Sequence, residues 1–495
     1  MSSITRRINR SQPVKTFNYN DFVSLYGVTT IKSDRCNHLP RTWTRARHYY
    51  HSNQVSIPST IDSTDGHLVG AKTGRSSPAP LSTLPMPVLL RSLLISSVCA
   101  KPYLLGPSLS ILTFLAKPNR SFLFSIDRNP LIHWVVKRTF YDHFCIGENA
   151  EEAMKNMKKM HEFGISGILL TYAKETTFDH KSKSEHVPGS IVERDDTVEQ
   201  KCEEIEAWRK GTLQTVHMTG DGDQVAIKMT GAGPLATEAF TAGELPPKQM
   251  MDALDEICQA ARQAKSRIVI DAESQRFQRG IARASVMLMR KHNTEKSPLV
   301  YHTYQCYLKG TRERLAKDIA LAAQEGWTIG VKLVRGAYMS TDERSKIHDS
   351  KEETDDAYDS IVRDLLRRDM DGFGGSKMFD SGSFPRMGVL LATHNKKTVM
   401  AAHKLHQEIK EAVPLEFAQL HGMADSLSFS LLGAKNAQGG APKVLKCSTW
   451  GPLNECVAYL LRRAIENREA VSRTQDEFMA VRAEFKRRLL SRIGL

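Results

Sequence analysis

Residues 299–338 read LVYHTYQCYLKGTRERLAKDIALAAQEGWTIGVKLVRGAY. Positions 299–305 and 330–338 are runs of β-branched, aromatic and apolar side chains, while 311–326 between them repeats its apolar residues at helical spacing. A strand, a helix and a second strand in that order is the signature of a crossover joining two parallel strands. The same alternation extends both ways from Gly164 onward. The other strand-like runs are GILLTYA (167–173), VAIKMTG (225–231), RIVIDAE (267–273), GVLLATHN (388–395), EFAQLHGM (416–423) and KVLKCSTWG (443–451). Helical stretches such as PKQMMDALDEICQAARQAKS and KTVMAAHKLHQEIKEA lie between them. Eight strand–helix units predict an α/β fold, a (βα)8 TIM-type barrel over 161–495. A doubly wound open sheet is the competing arrangement, but no GxGxxG turn follows its first strand.

Ahead of the barrel, 84–160 carries helical periodicity (PVLLRSLLISSV, LSILTFLA, HWVVKRTFYDHF, EEAMKNMKKMHEF) and is expected to form an N-terminal helical arm. Its apolar stretch from Leu84 to Ala116 is broken by Arg91, Lys101, Pro102 and Pro107, which points to amphipathic helices and not to a span of roughly 20 residues. Residues 54–83 are rich in Ser, Pro, Thr and Gly and read as a linker. Acidic 194–206 and Gly/Ser-rich 371–385 read as surface loops, the second without fixed structure.

The chain has 495 residues and a net charge of +14, unevenly spread. Residues 1–53 hold nine Lys and Arg against Asp21 and Asp34, which supplies +7 of that total. Basic, hydroxyl-rich and acid-poor, this segment is expected to be a mitochondrial transit peptide, cut near Arg47-His48-Tyr49-Tyr50. A basic arm for nucleic acid or membrane is the alternative. No interleaved aromatic and basic pattern follows, so nucleic acid is not expected as a partner. The eight cysteines form no CxxC pair and imply reduced thiols without a zinc site.

In a barrel of this kind the chemistry gathers at the C-terminal strand ends. Lys228, Asp271, Glu273, Gln305, Lys332, Arg335, Tyr338, Thr393, His394, Asn395 and His421 all fall there. A charged residue in an apolar strand is costly unless paired. One such end reads as a snorkelling side chain, whereas seven together indicate an active site. Near the C-terminus AYLLRRAIENR (458–468) places Tyr459, Arg462, Arg463 and Glu466 at i, i+3, i+4 and i+7, on one helix face. Paired guanidiniums suit bidentate capture of a carboxylate.

Taken in order, YAKET, IDAE, YQCYLKG, KLVRGAY, THNKKTVMAA, EFAQLHGM and YLLRRAIEN resemble the proline dehydrogenase family, most of all its fungal mitochondrial forms. The resemblance covers about residues 80–490. It implies oxidation of L-proline to 1-pyrroline-5-carboxylate with noncovalent FAD, the first step of proline catabolism. Electrons would pass to a membrane quinone from an enzyme peripherally associated with the matrix side of the inner mitochondrial membrane. Arg462 and Arg463 would clamp the proline carboxylate with help from Lys228. Tyr338 and Tyr459 would wall the ring, and Asp271 and Glu466 would orient the cations. FAD would be held by His302, Gln305, Lys332, Val334, Arg335, Gly336, Thr393, His394 and Asn395, with Leu420 adding apolar packing. Such chemistry needs the C–H carbon held against the flavin and the amine deprotonated, which a cluster of cations favours. A relative with altered or lost activity, or a barrel used only as a binding scaffold, would carry the same framework.

Two positions depart from the family pattern. His302 stands where a Gln or Asn is expected beside the flavin. Cys447 stands where most members carry a Tyr covering the substrate ring, which opens room for hydroxyproline.

Overall fold

A computed structural model describes residues 80–117, 121–173, 201–294, 296–375, 384–434, 441–466 and 471–492. The expected transit peptide, its cleavage point and most of the expected linker lie outside these residues. Nine parallel strands form one sheet: β1 (Cys145–Gly147), β2 (Gly167–Tyr172), β3 (Gln224–Ile227), β4 (Arg267–Ile270), β5 (Val300–Gln305), β6 (Ile329–Val334), β7 (Met387–Ala392), β8 (Leu415–Leu420) and β9 (Lys443–Trp450). β2 to β9 pair in sequence order, and β9 returns to β2 with Leu169 opposite Cys447, so eight strands close into a barrel. All eight expected runs are strands. β1 adds to β9 from outside the ring, with Cys145 opposite Thr449.

Alternation along each strand sorts the side chains into an inner stack and an outer layer. The middle inner layer is Leu169, Ala226, Val269, Tyr301, Leu390, Ala418 and Leu445. Tyr301 fills it at the expense of its neighbours, because a Cβ on Gly388 would lie 2.5 Å from the Tyr301 hydroxyl and one on Gly330 would lie 2.9 Å from its ring. Below, Glu416 accepts from Arg267 Nη2 at 2.7 Å and from Gln224 Nε2 at 2.8 Å, which closes the barrel floor with a satisfied polar plug. The opposite set, including Ile168, Val225, Ile268, Val331, Val389 and Phe417, packs under the surrounding helices as the main core.

Four regions differ from the sequence expectation. The linker ends early: Pro80–Thr83 is a 3-10 turn whose Leu81 is buried. Arg488, on the helix Val471–Arg492, donates to the carbonyls of Leu81, Ser82 and Leu84 at 2.7–3.0 Å and holds that turn in place. Residues 203–206 open the helix Glu203–His217 instead of closing a loop, since Glu203, Glu204 and Glu206 in its first turn complement the helix dipole. Phe373, within the second expected loop, is buried in a short 3-10 turn under the Arg312 guanidinium, 5.4 Å from the ring centre. The arm helices Met86–Cys99 and Pro102–Leu115 are apolar around most of their circumference, not amphipathic. The second contains no charged residue and buries none of its side chains fully.

Candidate active site

The upper inner layer, at the C-terminal strand ends, is polar. Lys228 follows β3, Asp271 follows β4 and Lys332 lies on β6, and all three side chains converge. Lys332 Nζ is 2.7 Å from Asp271 Oδ1, and Lys228 Nζ is 3.7 Å from Asp271 Oδ2. Each is largely withdrawn from solvent, so the carboxylate offsets two ammonium charges that the barrel alone would not tolerate. Cys447 faces the same space from β9 and, like Ala392 on β7, packs against the middle inner layer. Burial pushes its thiol up to about 11, which keeps it protonated and unreactive as a nucleophile. On β5 the inward residues are Thr303, bonded to the Ile270 carbonyl at 2.8 Å, and Gln305, whose Nε2 donates to the Glu273 carbonyl at 3.1 Å. Gln305 Oε1 is buried without a hydrogen-bond partner.

His302 does not belong to this set. It is one residue out of phase with Tyr301 and Thr303, so its ring enters the helix layer. There it meets Tyr304 edge-on at 4.8 Å and is fully buried, with neither ring nitrogen bonded. Burial, reinforced by Arg314, lowers its pKa to about 3. The expected flavin contact from His302 is therefore corrected: strand periodicity turns it away from the mouth.

The loops after β6 and β7 are braced together by Arg335. Its Nε bonds Asp355 at 2.5 Å, Nη1 bonds Thr393 Oγ1 at 2.8 Å and Nη2 bonds Thr398 Oγ1 at 3.0 Å, while the guanidinium stacks 4.4 Å from the Tyr358 ring centre. Gly336 is required by packing, since a Cβ there would meet the Tyr307 ring at 2.2 Å. Val334 is half-buried at the end of β6. Asn395 caps the helix Lys396–Glu408, accepting from Thr398 N–H at 3.3 Å. His394 Nε2 accepts the Leu420 N–H at 3.0 Å, so in the neutral ring the proton sits on Nδ1. Leu420 itself is exposed at the rim.

Tyr338 is half-buried on the loop beyond β6, where its carbonyl receives the N–H groups of Thr341 and Asp342 at 3.1 and 2.9 Å. Asp342 anchors that turn. Its Oδ1 accepts from Ser274 Oγ at 2.8 Å and Gln275 N–H at 2.9 Å, and its Oδ2 from the Tyr307 hydroxyl. Sequence reasoning missed Asp342 and Tyr307, because Asp342-Glu343 in a polar loop carries no pattern separating it from solvated charge. Glu273, bonded to Thr230 N–H at 3.1 Å and to its hydroxyl, likewise ties the loops after β3 and β4 together.

After β9 the chain turns at Gly451 and enters the helix Leu453–Glu466, five residues ahead of its expected start at Ala458. Pro452 explains the earlier start: the chain cannot be helical before it but can enter directly after. Leu453, Cys456, Val457 and Leu461 pack against Ala173, just past β2, and against Ile126, Val136 and Tyr141 of the arm. This fixes the helix beside the C-terminal rim. Tyr459 is half-buried on it. Arg462, Arg463 and Glu466 fall on the same helix, but their side chains lie outside the described residues.

The residues the structure brings together fit a flavin better than any group needing a metal or nucleophile. A buried amide oxygen without a donor, at Gln305, suits a ring N–H. The Lys332 ammonium suits an acceptor that gains negative charge, and the small side chains of Thr303, Ala392 and Cys447 line the same layer.

Comparison with known proteins agrees in direction. The family model described as proline dehydrogenase matches residues 153–476, well over half of the chain. The "Probable proline dehydrogenase, mitochondrial" of Schizosaccharomyces pombe is 28% identical over 443 residues, covering 81% of this chain and 88% of that protein. Proline dehydrogenase 1, mitochondrial, of Arabidopsis thaliana is 28% identical over 469 residues, covering 83% and 86%. The Drosophila melanogaster protein of the same name is 34% identical over 265 residues, which are 50% of this chain and 37% of that one. Among solved structures, proline utilization A from Bdellovibrio bacteriovorus superposes with a TM-score of 0.55 at 17% identity, covering 77% of this chain and 38% of that longer one. That last likeness concerns the fold.

Proposed function

This chain belongs to the proline dehydrogenase family, and from that premise we propose that it oxidises L-proline to 1-pyrroline-5-carboxylate in the mitochondrion. The observation that carries the reading is the charged triad Lys228–Asp271–Lys332, set at the strand ends beside the helix that bears Tyr459, Arg462, Arg463 and Glu466.

Lys228, Arg462 and Arg463 bind the imino acid through its carboxylate, and charge-assisted, bidentate contacts fix its orientation. Tyr338 and Tyr459 bound the ring, and Glu466 braces the arginine pair. Asp271 bridges the two lysines, offsets their mutual repulsion and holds them at the mouth. Concentrated positive charge disfavours the ammonium form of the substrate, so the amine enters the reaction neutral. FAD would be held by Gln305, Lys332, Val334, Gly336, Thr393, His394 and Asn395, with Arg335 acting as the brace beneath them. Bound there, FAD would supply the acceptor for a hydride from the carbon next to nitrogen and a route for its electrons to a membrane quinone. The protein works as a soluble barrel held at the matrix face of the inner membrane. Relatives named mitochondrial, together with the basic segment 1–53, support that location.

Cys447 favours a second substrate. Its thiol lies opposite Leu420 in the strand register, where a bulkier side chain would fill the space, and the room a small thiol leaves would take the 4-hydroxyl group of hydroxyproline.

Purified protein should show flavin absorption bands and reduce an artificial acceptor on addition of proline. A flavin-loaded preparation that neither proline nor hydroxyproline bleaches would overturn this function.

A further inference from the structure

Among the described residues, twelve of the twenty strongly exposed large hydrophobic side chains fall between residues 90 and 135. They include Tyr103 at 69% exposure, Leu131 at 68% and Trp134 at 59%, with Ile111, Phe114 and Phe122. A patch of this density on a soluble protein marks an interaction surface. Its centre is the helix Pro102–Leu115, which carries no charge. The buried side of that helix, through Leu109, Leu112 and Leu115, rests on the rim helix Leu453–Glu466.

The chemistry of the patch identifies what covers it. The hydroxyls of Ser110 and Thr113 bond back to the carbonyls of Gly106 and Leu109 at 3.1 and 2.7 Å, and Ser97 does the same to Leu94 at 2.7 Å. Polar groups closed on their own helix ask nothing of the surroundings, as apolar solvent requires. From residue 84 to 126 the sequence has no Asp or Glu but has Arg91, Lys101, Lys117 and Arg120. Arg91 turns inward to Asp142, whereas Lys101 and Lys117 stand at the two ends of the uncharged helix. An apolar helix with cations at its ends and aromatic residues around it matches an anionic lipid interface. At about 21 Å the helix is too short to cross a bilayer, and its bend of 104° from Met86–Cys99 prevents the pair acting as one straight span.

We infer that the helix Pro102–Leu115, with the neighbouring segment that carries Phe122, Leu131 and Trp134, is the surface by which this protein lies in an anionic membrane interface. The inference rests on the proposed quinone-linked function and deepens it: the element buried in lipid is the one packed on the rim helix, which brings the active-site mouth to the bilayer.

Flotation of the full chain with phosphatidylcholine vesicles containing phosphatidylglycerol tests this. The parent should float, more weakly with pure phosphatidylcholine, and brominated lipid should quench fluorescence that is lost in Trp134→Phe. Ile111→Glu combined with Trp134→Glu should lower the floated fraction by at least about tenfold, whereas Met154→Glu, an exposed site outside the patch, should leave it unchanged. Soluble-acceptor turnover should survive the double substitution while turnover with vesicle-embedded quinone falls. A parent that stays in solution, or a double variant that floats and is quenched like the parent, overturns the inference. So does a soluble parent whose dimer the double variant disperses, which would assign the patch to a second copy. A parent that floats but turns over no imino acid would instead refute the proposed function and leave the membrane surface standing.

Discussion

Lys332 Nζ sits 2.7 Å from Asp271 Oδ1, with a second ammonium, Lys228, 3.7 Å from the other carboxylate oxygen. One anion thus holds two cations inside a barrel mouth that is largely closed to water. Asp271→Asn keeps the shape and removes the charge. It should cost about 3 kcal/mol of stability, as for a broken buried pair, because two like charges then face each other. Adding Lys228→Met should restore part of that loss, which denaturant midpoints of the single and double variants would reveal. Equal stability of Asp271→Asn and the parent would show that the triad is not coupled.

His302 and His143 are both buried, and burial lowers their pKa values to about 3 and about 4. An unfolded histidine titrates near 6.5. The folded values are depressed, so the unfolded chain binds more protons below that point, and stability is complete above pH 6.5 and falls as pH drops toward 4. Each such group contributes a slope of about 1.4 kcal/mol per pH unit over the middle of that window. His302→Leu should remove its share of that slope. It should also raise stability at pH 7 by about 1 kcal/mol, since it removes two unbonded ring nitrogens from an apolar site. Bound flavin and turnover should be unchanged, because the ring faces the helices. Loss of flavin in this variant would place His302 back at the mouth.

The same residue shows where the sequence stops being legible. The eight barrel strands stand out because parallel strands buried on both faces become continuous apolar runs, interrupted by charge only at the ends where the site lies. That contrast also marked Lys228, Asp271 and Lys332. The resemblance places His302 at the flavin by its neighbourhood in the motif, whereas alternation from Tyr301 determines its direction. β1 left no trace of its own. Cys145–Gly147 follows directly on a helical pattern and is a strand only because β9 runs on past its pairing with β8, leaving Thr449 and Trp450 for β1 to pair with. Asp342 is similarly defined by partners from Ser274 and Tyr307, up to 68 residues away. Contacts of that range are set by the closed barrel and not by local spacing.

The arginine pair on the rim helix follows from sequence and resemblance. Arg462→Ala and Arg463→Ala should each raise the KM for proline by about 10- to 100-fold, the loss expected for a charge-assisted contact to a carboxylate. The flavin spectrum should remain, since neither residue is assigned to the cofactor. A variant with normal KM would free that arginine from the clamp.

Cys447 stands in the wall of the mouth, where the family resemblance leads to the expectation of a Tyr. It lies on β9 between Leu169 of β2 and Leu420 of β8, facing the layer that holds Lys332 and Asp271. A phenol there would bury apolar area against the ring and supply a hydroxyl. Cys447→Tyr should therefore tighten proline by about 1–3 kcal/mol, roughly 5- to 150-fold in KM. The same bulk should exclude a 4-hydroxyl group, so kcat/KM for hydroxyproline should fall while that for proline rises. Both substrates assayed with one soluble acceptor, parent against variant, give the comparison directly. Parallel changes on the two imino acids would mean that the thiol does not set the choice between them.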